Sequence, residues 1–219
     1  MTLEELRRVA GRAVADTDPL HRYPHDADNE GEEIPIQLIV LEDVCHGFSY
    51  PCVMDMKIGS RQYGLNASER KKKSKNFKAR TTCSWEYGIR LAGLRRWDEG
   101  QQAFTTKSKL QCRSLTLNEI KDEMTLFFKE SRQLELIFVR QLQRLREAFQ
   151  RQTVYRFYTS SLLFVFDAAA PVQTARIVMV DFAYTYERKE LIEANDEDAQ
   201  YDYDINYIKA IDTLLSLLS

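Results

Sequence analysis

With 219 residues, the chain is long enough for a single domain, or for one domain divided into two lobes. Its hydrophobic content of 44%, charged content of 29% and formal net charge of -2 are ordinary for a globular protein with its own core, and they exclude a protein that is basic overall. The sequence shows no secretory signal and no apolar run long enough to span a bilayer. Its four cysteines lack zinc-ligand spacing, so we expect reduced thiols and a soluble protein of the cytoplasm, the nucleus or both.

The first part of the chain begins with a capping pattern and contains two short apolar runs. Thr2, with Glu5 three positions later, predicts a helix over Leu3–Val14. The acidic stretch that follows is typical of a loop. The β-branched run Ile34–Leu41 predicts a buried strand, and Cys52–Ile58 predicts a second one.

Two charged residues interrupt the second of these strands. Asp55 and Lys57 alternate with apolar positions, so both side chains should lie on one face of the strand. A buried charge without a partner is costly, so such groups normally have an ion partner or a ligand. A structural salt bridge and a functional site explain this pattern equally well.

The segment Ser68–Arg80 is strongly basic, with seven Lys or Arg residues and one acidic residue among its thirteen positions. Asn66 or Ser68 is a suitable N-cap, so we expect a helix here. Such a run is typical of a solvated helix face or of a nucleic-acid patch, but this one is short and Phe77 is its one aromatic residue. A small, dense polyphosphate fits better than nucleic acid, because several ammonium groups can then meet several phosphates at once.

The middle of the chain predicts paired strands followed by two helices. Tyr87–Leu94 and the segment around Trp97 should form a short pair of strands, with turns at Gly93 and Gly100. Leu117–Gln152 has apolar residues at spacings of three and four in two separate stripes. Two stripes with a polar step between them indicate two helices rather than one.

The last third of the chain predicts a hairpin, an acidic insertion and a terminal helix. Tyr155–Asp167 and Ala175–Ala183 should pair as the hairpin, and Ile205–Leu218 has helical apolar spacing. The run Glu187–Asp204 is strongly acidic and is predicted to be a solvated insertion. Together these elements predict an α+β protein whose helices cover antiparallel strands.

Asp181 follows a β-branched run at the end of the second strand of this hairpin. Kinases hold magnesium against ATP phosphates with an Asp in such an arrangement, although an Asp in a turn after a strand is the commoner structure. The hairpin should bring Asp181 close to the strand that ends near Lys57.

Four ordered motifs resemble those of the inositol polyphosphate kinases. PCVMDMKIG at Pro51–Gly59 matches the PxxxDxKxG signature of that family. The segments Ser60–Glu69 and Arg151–Leu163 are similar to the RQ-G-A-S-E and RFYSSSLL stretches of its inositol hexakisphosphate kinase branch. Val180–Thr185 is similar to the IDFAHT motif of the branch, with Tyr184 where histidine is usual.

The resemblance extends from about Leu38 to the C-terminus and implies a two-lobe kinase fold that binds ATP and Mg2+ between its lobes. It implies a reduced N-terminal lobe and hinge at residues 1–44, a C-terminal kinase lobe at residues 45–219, and an inositol phosphate-binding segment at about residues 60–112. The site residues that it implies are Glu42, Asp43 and Val44 for adenine, Asp55 and Lys57 for catalysis, Asp55 and Asp181 for the nucleotide, Asp181 and Ser160 for Mg2+, and Lys57, Lys71, Lys72, Lys75 and Lys78 for the acceptor phosphates.

Two functions agree with these patterns. The first is a monomeric, ATP-dependent kinase that phosphorylates an inositol polyphosphate, with inositol hexakisphosphate giving a pyrophosphate product. The second is a degenerate kinase that binds inositol polyphosphates as a sensor or scaffold without turnover. No lysine precedes Lys57, whereas the family has a lysine in its N-terminal lobe that contacts ATP phosphates. This difference keeps the second function open.

Overall fold

The computed structural model describes residues 41–129 and 131–219. The predicted helix Leu3–Val14, the predicted strand Ile34–Leu41 except for its last residue, and the predicted N-terminal lobe up to residue 40 lie outside these ranges. The strands are β1 (Pro51–Ile58), β2 (Ile89–Asp98), β3 (Ala103–Lys107), β4 (Tyr155–Tyr158), β5 (Ser161–Asp167), β6 (Arg176–Val180) and β7 (Tyr184–Glu187). The helices are α1 (Glu69–Arg80), α2 (Cys83–Tyr87), α3 (Lys109–Arg113), α4 (Leu117–Phe128), α5 (Arg132–Arg151), α6 (Pro171–Thr174), α7 (Arg188–Glu193) and α8 (Ile205–Leu217), with a 3-10 helix at Glu197–Gln200. Among the described residues, no helix is both long enough and apolar enough to cross a membrane.

Five antiparallel strands form the main sheet, in the order β3-β2-β1-β5-β6. β1 lies at the centre of the sheet and contains the predicted strand. Its even-numbered residues from Cys52 to Ile58 are buried, whereas Asp55 and Lys57 lie on the opposite face. The predicted hairpin is present as β5 and β6, and a second sheet pairs β4 with β7. The predicted α+β class with antiparallel strands is therefore confirmed.

Helices α4, α5 and α8 supply the core that packs against the buried face of the main sheet. The predicted division into two helices is confirmed, because α4 and α5 are separate and the Ser131 side chain caps α5. Phe127 of α4 meets Phe166 of β5 edge to face, with ring centroids 5.0 Å apart. Phe149 of α5 stacks on Tyr207 of α8 at 4.0 Å. Full burial of a side chain of this size stabilises the fold by about 1.5–3 kcal/mol.

Two strand boundaries differ from the sequence predictions. Gly100 lies in the predicted turn, but Gly93 lies inside β2, where the pairing with β1 shifts register. A shift of this kind lets a strand continue past a glycine, so Gly93 marks an irregularity and not a turn. The run Tyr155–Asp167 forms two strands because Thr159 has a left-handed backbone conformation, with φ 59°, between β4 and β5.

The acidic run Glu187–Asp204 is solvated only in part, so the prediction of a solvated insertion was wrong for its two buried carboxylates. The run forms α7 and the 3-10 helix, and about half of its residues are exposed, but the carboxylates of Asp198 and Asp204 are buried. Asp198 Oδ2 lies 3.1 Å from Arg61 Nη1, and Asp204 accepts a hydrogen bond from the backbone N–H of Phe157 at 2.7 Å. Buried carboxylates require such partners. The partners come from distant parts of the chain, which the local composition does not show.

Asp204 makes the stability of the fold depend on pH. Its carboxylate caps α8 through the backbone N–H of Tyr207, at 3.0 Å, but complete burial raises its pKa from 3.8 to about 6. Because the pKa is higher in the folded state than in the unfolded state, the folded protein binds more protons between these two values. The stabilising contribution of the protonated group is therefore complete below about pH 4 and is lost as the pH rises through about 6.

We expect the free energy of unfolding of the wild type, relative to that of an Asp204→Asn variant, to fall by about 3 kcal/mol between about pH 4 and pH 7. The asparagine variant is the control because it keeps the shape of the cap and cannot titrate. Denaturant titrations at a series of pH values measure the difference. A difference that stays constant over this range would show that Asp204 does not titrate as its burial requires.

Candidate active site

The register of the main sheet places Lys57 in a row that crosses four strands. Its direct neighbours are Arg90 on β2 and Ser161 on β5, and Val180 continues the row on β6. Directly paired residues of antiparallel strands point to the same face of a sheet. Asp181 follows Val180 at the end of β6, so the β5–β6 hairpin brings this carboxylate to the Lys57 end of β1, as the sequence predicted.

The Lys57 ammonium group is held between a carboxylate and a carbonyl. Its Nζ lies 3.6 Å from Asp181 Oδ2 and donates a hydrogen bond to the Thr159 carbonyl. Burial lowers the pKa of Lys57, while the carboxylates of Asp181 and Asp55 oppose this change. The Lys57 side chain remains 18% exposed and that of Asp181 65% exposed, so a ligand can reach both charges. The ion pair that the sequence allowed is present, and its accessibility makes it suitable as a binding site.

Asp55 has an incomplete set of hydrogen-bond partners. Burial raises its pKa, whereas the Ser161 hydroxyl, Lys57 and Arg90 act in the opposite direction. One carboxylate oxygen, Oδ1, is buried without a hydrogen-bond partner among the described residues. A buried acceptor without a donor is costly and uncommon in folded proteins. A ligand hydroxyl could supply the missing donor only after a neighbouring group moves, because this oxygen is closed to solvent in the described part of the chain.

Both residues that contact the Lys57 ammonium group have strained backbones. Thr159 has φ 59° and Asp181 has φ 68°, in the left-handed region that residues other than glycine rarely adopt. Such a conformation costs roughly 1–2 kcal/mol for Thr159 and less for Asp181, because aspartate adopts the left-handed region more readily than most residues. Strain of this kind persists where the surrounding structure fixes the residue, and it concentrates at functional sites.

The predicted hinge residues lie at the other end of β6 from Asp181. Arg176, the first residue of β6, donates to the Val44 carbonyl, and its Nη1 lies 3.6 Å from Glu42. Asp43 accepts a hydrogen bond from the backbone of Cys45, which shapes this turn. The five steps from Arg176 to Asp181 correspond to about 16 Å of strand. The predicted adenine-binding segment and the predicted metal-binding carboxylate are thus separated by the length of β6.

The end of β6 fits a magnesium ion through Asp181. Mg2+ is usually bound by one or two carboxylates together with water and substrate phosphates, and the Asp181 carboxylate faces solvent. Ser160 has a different environment. Its side chain is completely buried, and its hydroxyl donates to the Tyr207 hydroxyl at 3.2 Å. The predicted metal-binding role of Ser160 stays a prediction.

A cationic cavity of about 190 Å³ adjoins the Lys57 row. The described residues that line it include no carboxylate, and its basic side chains come from three elements: Lys75 and Lys78 of α1, Arg90 of β2, and Lys109 and Arg113 of α3. Burial and the neighbouring lysines lower the pKa of Lys75, which reflects the repulsion among these cations. A cluster of cations around a small cavity is suited to a compact polyanion.

The lysines that the sequence predicted to bind the acceptor do not all lie at the cavity. Lys75 and Lys78 line the cavity. Lys72 instead forms an ion pair with Glu69 at 2.9 Å, and Lys71 lies 3.5 Å from the Tyr184 hydroxyl. Two of the four predicted lysines of α1 therefore meet at the cavity in this arrangement.

Three of the basic residues that line the cavity are absent from the predicted acceptor-binding residues. Lys109 and Arg113 are four residues apart, which places them on one face of α3, and this spacing was the one available signal. Arg90 has no local signal. Its position at the cavity depends on its pairing with Lys57 in the sheet.

Comparison with known proteins agrees with the motifs. A family model of inositol polyphosphate kinases matches residues 38–219. Mouse inositol hexakisphosphate kinase 3 is 28% identical over 216 residues, which cover 90% of this chain and 52% of that protein. Human inositol hexakisphosphate kinase 2 is 33% identical over 135 residues, which cover 60% of this chain and 32% of that protein. The chain thus spans about half, or a smaller share, of the length of these curated relatives.

Two solved structures share the fold. An inositol phosphate multikinase superimposes with a TM-score of 0.69 at 22% identity, over 82% of this chain and 84% of that one. The multikinase Ipk2 of S. cerevisiae, in complex with ADP and Mn2+, superimposes with a TM-score of 0.67 at 23% identity, over 80% of each chain. These similarities confirm the predicted kinase-like α+β fold. Because the family model also matches most of its length, the chain belongs to the inositol polyphosphate kinase family.

Proposed function

We propose that this chain transfers the γ-phosphoryl group of ATP to a highly phosphorylated inositol, with inositol hexakisphosphate as the acceptor and a pyrophosphate as the product. The cationic cavity carries this proposal, because five basic side chains and no carboxylate of the described residues line it. A neutral or singly charged acceptor would leave most of these cations unpaired, whereas a ring with many phosphates would pair them. The choice of inositol hexakisphosphate rests on the similarity to inositol hexakisphosphate kinases.

Lys57 connects the cavity with the proposed nucleotide site. Its neighbour on β2, Arg90, lines the cavity, and Asp181 lies 3.6 Å from its ammonium group. A phosphoryl group that moves from nucleotide to acceptor would therefore pass close to this ammonium group. Catalysis of phosphoryl transfer consists mainly of positioning and of neutralising charge on the transferring group, and Lys57 is placed for both.

The nucleotide would lie along β6. The backbone of Glu42, Asp43 and Val44 would bind adenine, and the buried unpaired oxygen of Asp55 would accept a hydrogen bond from a ribose hydroxyl. Asp181 would hold Mg2+, which neutralises charge on the nucleotide phosphates when bound.

A second function, binding of inositol polyphosphates without turnover, would use the same cationic cavity, because its five basic side chains can hold a polyphosphate whether or not a phosphoryl group is transferred. A chain of this kind would act as a sensor or scaffold. Binding and transfer must therefore be measured separately.

The test is an assay of the purified chain with ATP, Mg2+ and inositol hexakisphosphate, together with calorimetric measurement of acceptor binding. We expect a pyrophosphate product from the wild type, and Arg113→Gln should weaken acceptor binding by roughly ten- to a hundredfold because a charge-assisted hydrogen bond is lost. Arg144→Gln on the exposed surface of α5 is the matched control and should bind as the wild type does. Binding of inositol hexakisphosphate without formation of a product would support the second function, that of a sensor or scaffold. Equal binding by both variants would contradict the cavity as the acceptor site.

A further inference from the structure

The acidic run Glu187–Asp204 contributes two carboxylates to a buried cluster around Arg61. The Arg61 Nη1 lies 2.7 Å from Asp196 Oδ1 and 3.1 Å from Asp198 Oδ2, and the Arg61 side chain is only 8% exposed. Burial alone would raise the pKa of Asp196, but the hydrogen bond from Arg61 lowers it below its ordinary value. Asp196 is therefore a carboxylate, so at least one full ion pair holds Arg61 in place.

Tyr158 completes the cluster from the side of β4. Its hydroxyl donates to Asp198 Oδ2 at 2.8 Å, and the Arg61 guanidinium lies over its ring, 4.2 Å from the centroid. Asn206 of α8 also donates to Asp198, at 3.4 Å. Asp198 thus joins three segments of the chain that are far apart in the sequence.

Two of these segments form walls of the proposed active site. Tyr158 precedes Thr159, the residue whose carbonyl accepts the hydrogen bond from the Lys57 ammonium group. Arg61 precedes Gln62, which lines the cationic cavity and whose amide donates to the Gly59 carbonyl at 2.6 Å. The cluster therefore fixes the residue that holds Lys57 and the turn that forms one wall of the cavity.

We infer that Asp198 is a positioning residue for phosphoryl transfer: through Tyr158 and Arg61 it sets the place of Lys57 relative to the acceptor cavity. The inference rests on the proposed kinase function of the site. Displacement of a reacting group by about 1 Å can reduce a rate by roughly a hundredfold. Loss of the Asp198 carboxylate would leave Arg61 with Asp196 as its one ion-pair partner in the cluster and would remove the charged acceptor of the Tyr158 hydroxyl, and this would shift the segments that carry these two side chains.

The experiment compares Asp198→Asn with Asp202→Asn, the same change at another position of the acidic run. Asp202 is 79% exposed and pairs with Arg188 at 3.2 Å. For Asp198→Asn we expect kcat to fall by roughly ten- to a hundredfold and KM for the acceptor to rise, with KM for ATP unchanged. Asp202→Asn should behave as the wild type does. Asp198→Glu, which keeps the charge, should recover part of kcat.

A milder variant keeps the inference testable if Asp198→Asn does not fold. Tyr158→Phe retains the ring under Arg61 and removes only the hydroxyl that donates to Asp198, so it should lower kcat by a smaller factor in the same direction. Kinetics of this variant equal to those of Asp202→Asn would overturn the inference. Equal kinetics of a folded Asp198→Asn variant would do the same, even if its melting temperature were lower.

A readout on Lys57 itself separates this inference from the proposed function. Acetylation by a small amine-reactive reagent, followed by mass spectrometry, measures how firmly the ammonium group is held. Lys57 should react faster in Asp198→Asn than in the wild type or in Asp202→Asn, while the exposed Lys121 should react equally in all three. A wild type that neither binds nor phosphorylates inositol hexakisphosphate would refute the proposed function. Unchanged Lys57 labelling would refute the positioning role whatever the wild type does.

Discussion

Replacement of Lys57 by methionine is expected to lower the rate of phosphoryl transfer by about a thousandfold or more while the protein remains folded. Methionine has nearly the length of lysine and no charge, so the variant removes the ammonium group with little change in packing. The loss is large because a fixed charge aimed at a transferring phosphoryl group acts mainly in the transition state. Lys57 lies between the cavity residue Arg90, its neighbour on β2, and the exposed carboxylate of Asp181.

The fold should tolerate this change. The partner carboxylate, Asp181, is 65% exposed, so water can solvate it when the ion pair is lost. Loss of a partly exposed ion pair costs about 0–1 kcal/mol, and removal of a lysine whose pKa burial already lowers recovers part of that cost. We therefore expect the free energy of unfolding to change by less than about 1 kcal/mol.

The control for Lys57→Met is Lys121→Met on the exposed surface of α4. Both variants lose one lysine, so a difference between them reports the place of the charge and not the net charge. Transfer rates, melting temperatures and acceptor affinities are measured for both. A Lys57→Met variant that retains a tenth of the wild-type rate would remove Lys57 from the catalytic machinery.

Local patterns in the sequence were sufficient for much of the scaffold. The alternation over Cys52–Ile58 fixes which residues of β1 face the core, and the spacings of three and four over Leu117–Gln152 fix the buried faces of two helices. The β5–β6 hairpin depends on neighbouring segments, whereas the approach of Asp181 to Lys57 also needs β5 to pair with β1 from a distant part of the chain. The alternation, the helical spacings and the hairpin need only contacts between residues close in sequence or joined by one turn.

Features that depend on distant pairing were not predictable in the same way. Arg90 reaches the cavity because β2 pairs with β1 through a shifted register beside Gly93, and no local pattern encodes that register. A glycine such as Gly93 occurs in turns and also at irregularities within strands, so its presence alone does not distinguish the two. Arg90 could therefore be assigned to the cavity only once the pairing of the strands was known.

The acidic run shows the same limitation in its electrostatics. Its charge pattern predicts a solvated segment, yet Asp198 is buried because Arg61, 137 residues earlier in the chain, reaches it. The composition of a segment does not show that one of its carboxylates has an ion-pair partner so far away in the sequence. The family resemblance did not correct this prediction either, because its motifs concern the site and not the segment that supports it.

Replacement of Asp181 by asparagine should lower the transfer rate by at least about a hundredfold without loss of stability. The choice of asparagine follows from the backbone, since Asp181 has φ 68°, a conformation that asparagine adopts more readily than most residues. Alanine at this position would add backbone strain of about 1–2 kcal/mol and confuse instability with lost function. Asparagine keeps the shape of the side chain and removes the negative charge that a divalent cation requires.

The measurement combines transfer rates over a range of Mg2+ concentrations with calorimetric binding of ATP in the presence of Mg2+. We expect Asp181→Asn to need more Mg2+ for half-maximal rate and to bind the Mg2+-nucleotide more weakly, because a carboxylate ligand is lost. Asp122→Asn on the exposed surface of α4 is the matched control. The Lys57→Met and Asp181→Asn effects should be less than additive when combined, since the two groups lie 3.6 Å apart and act on the same phosphoryl group. Strictly additive losses, or wild-type Mg2+ dependence in Asp181→Asn, would show that the two charges do not form one site.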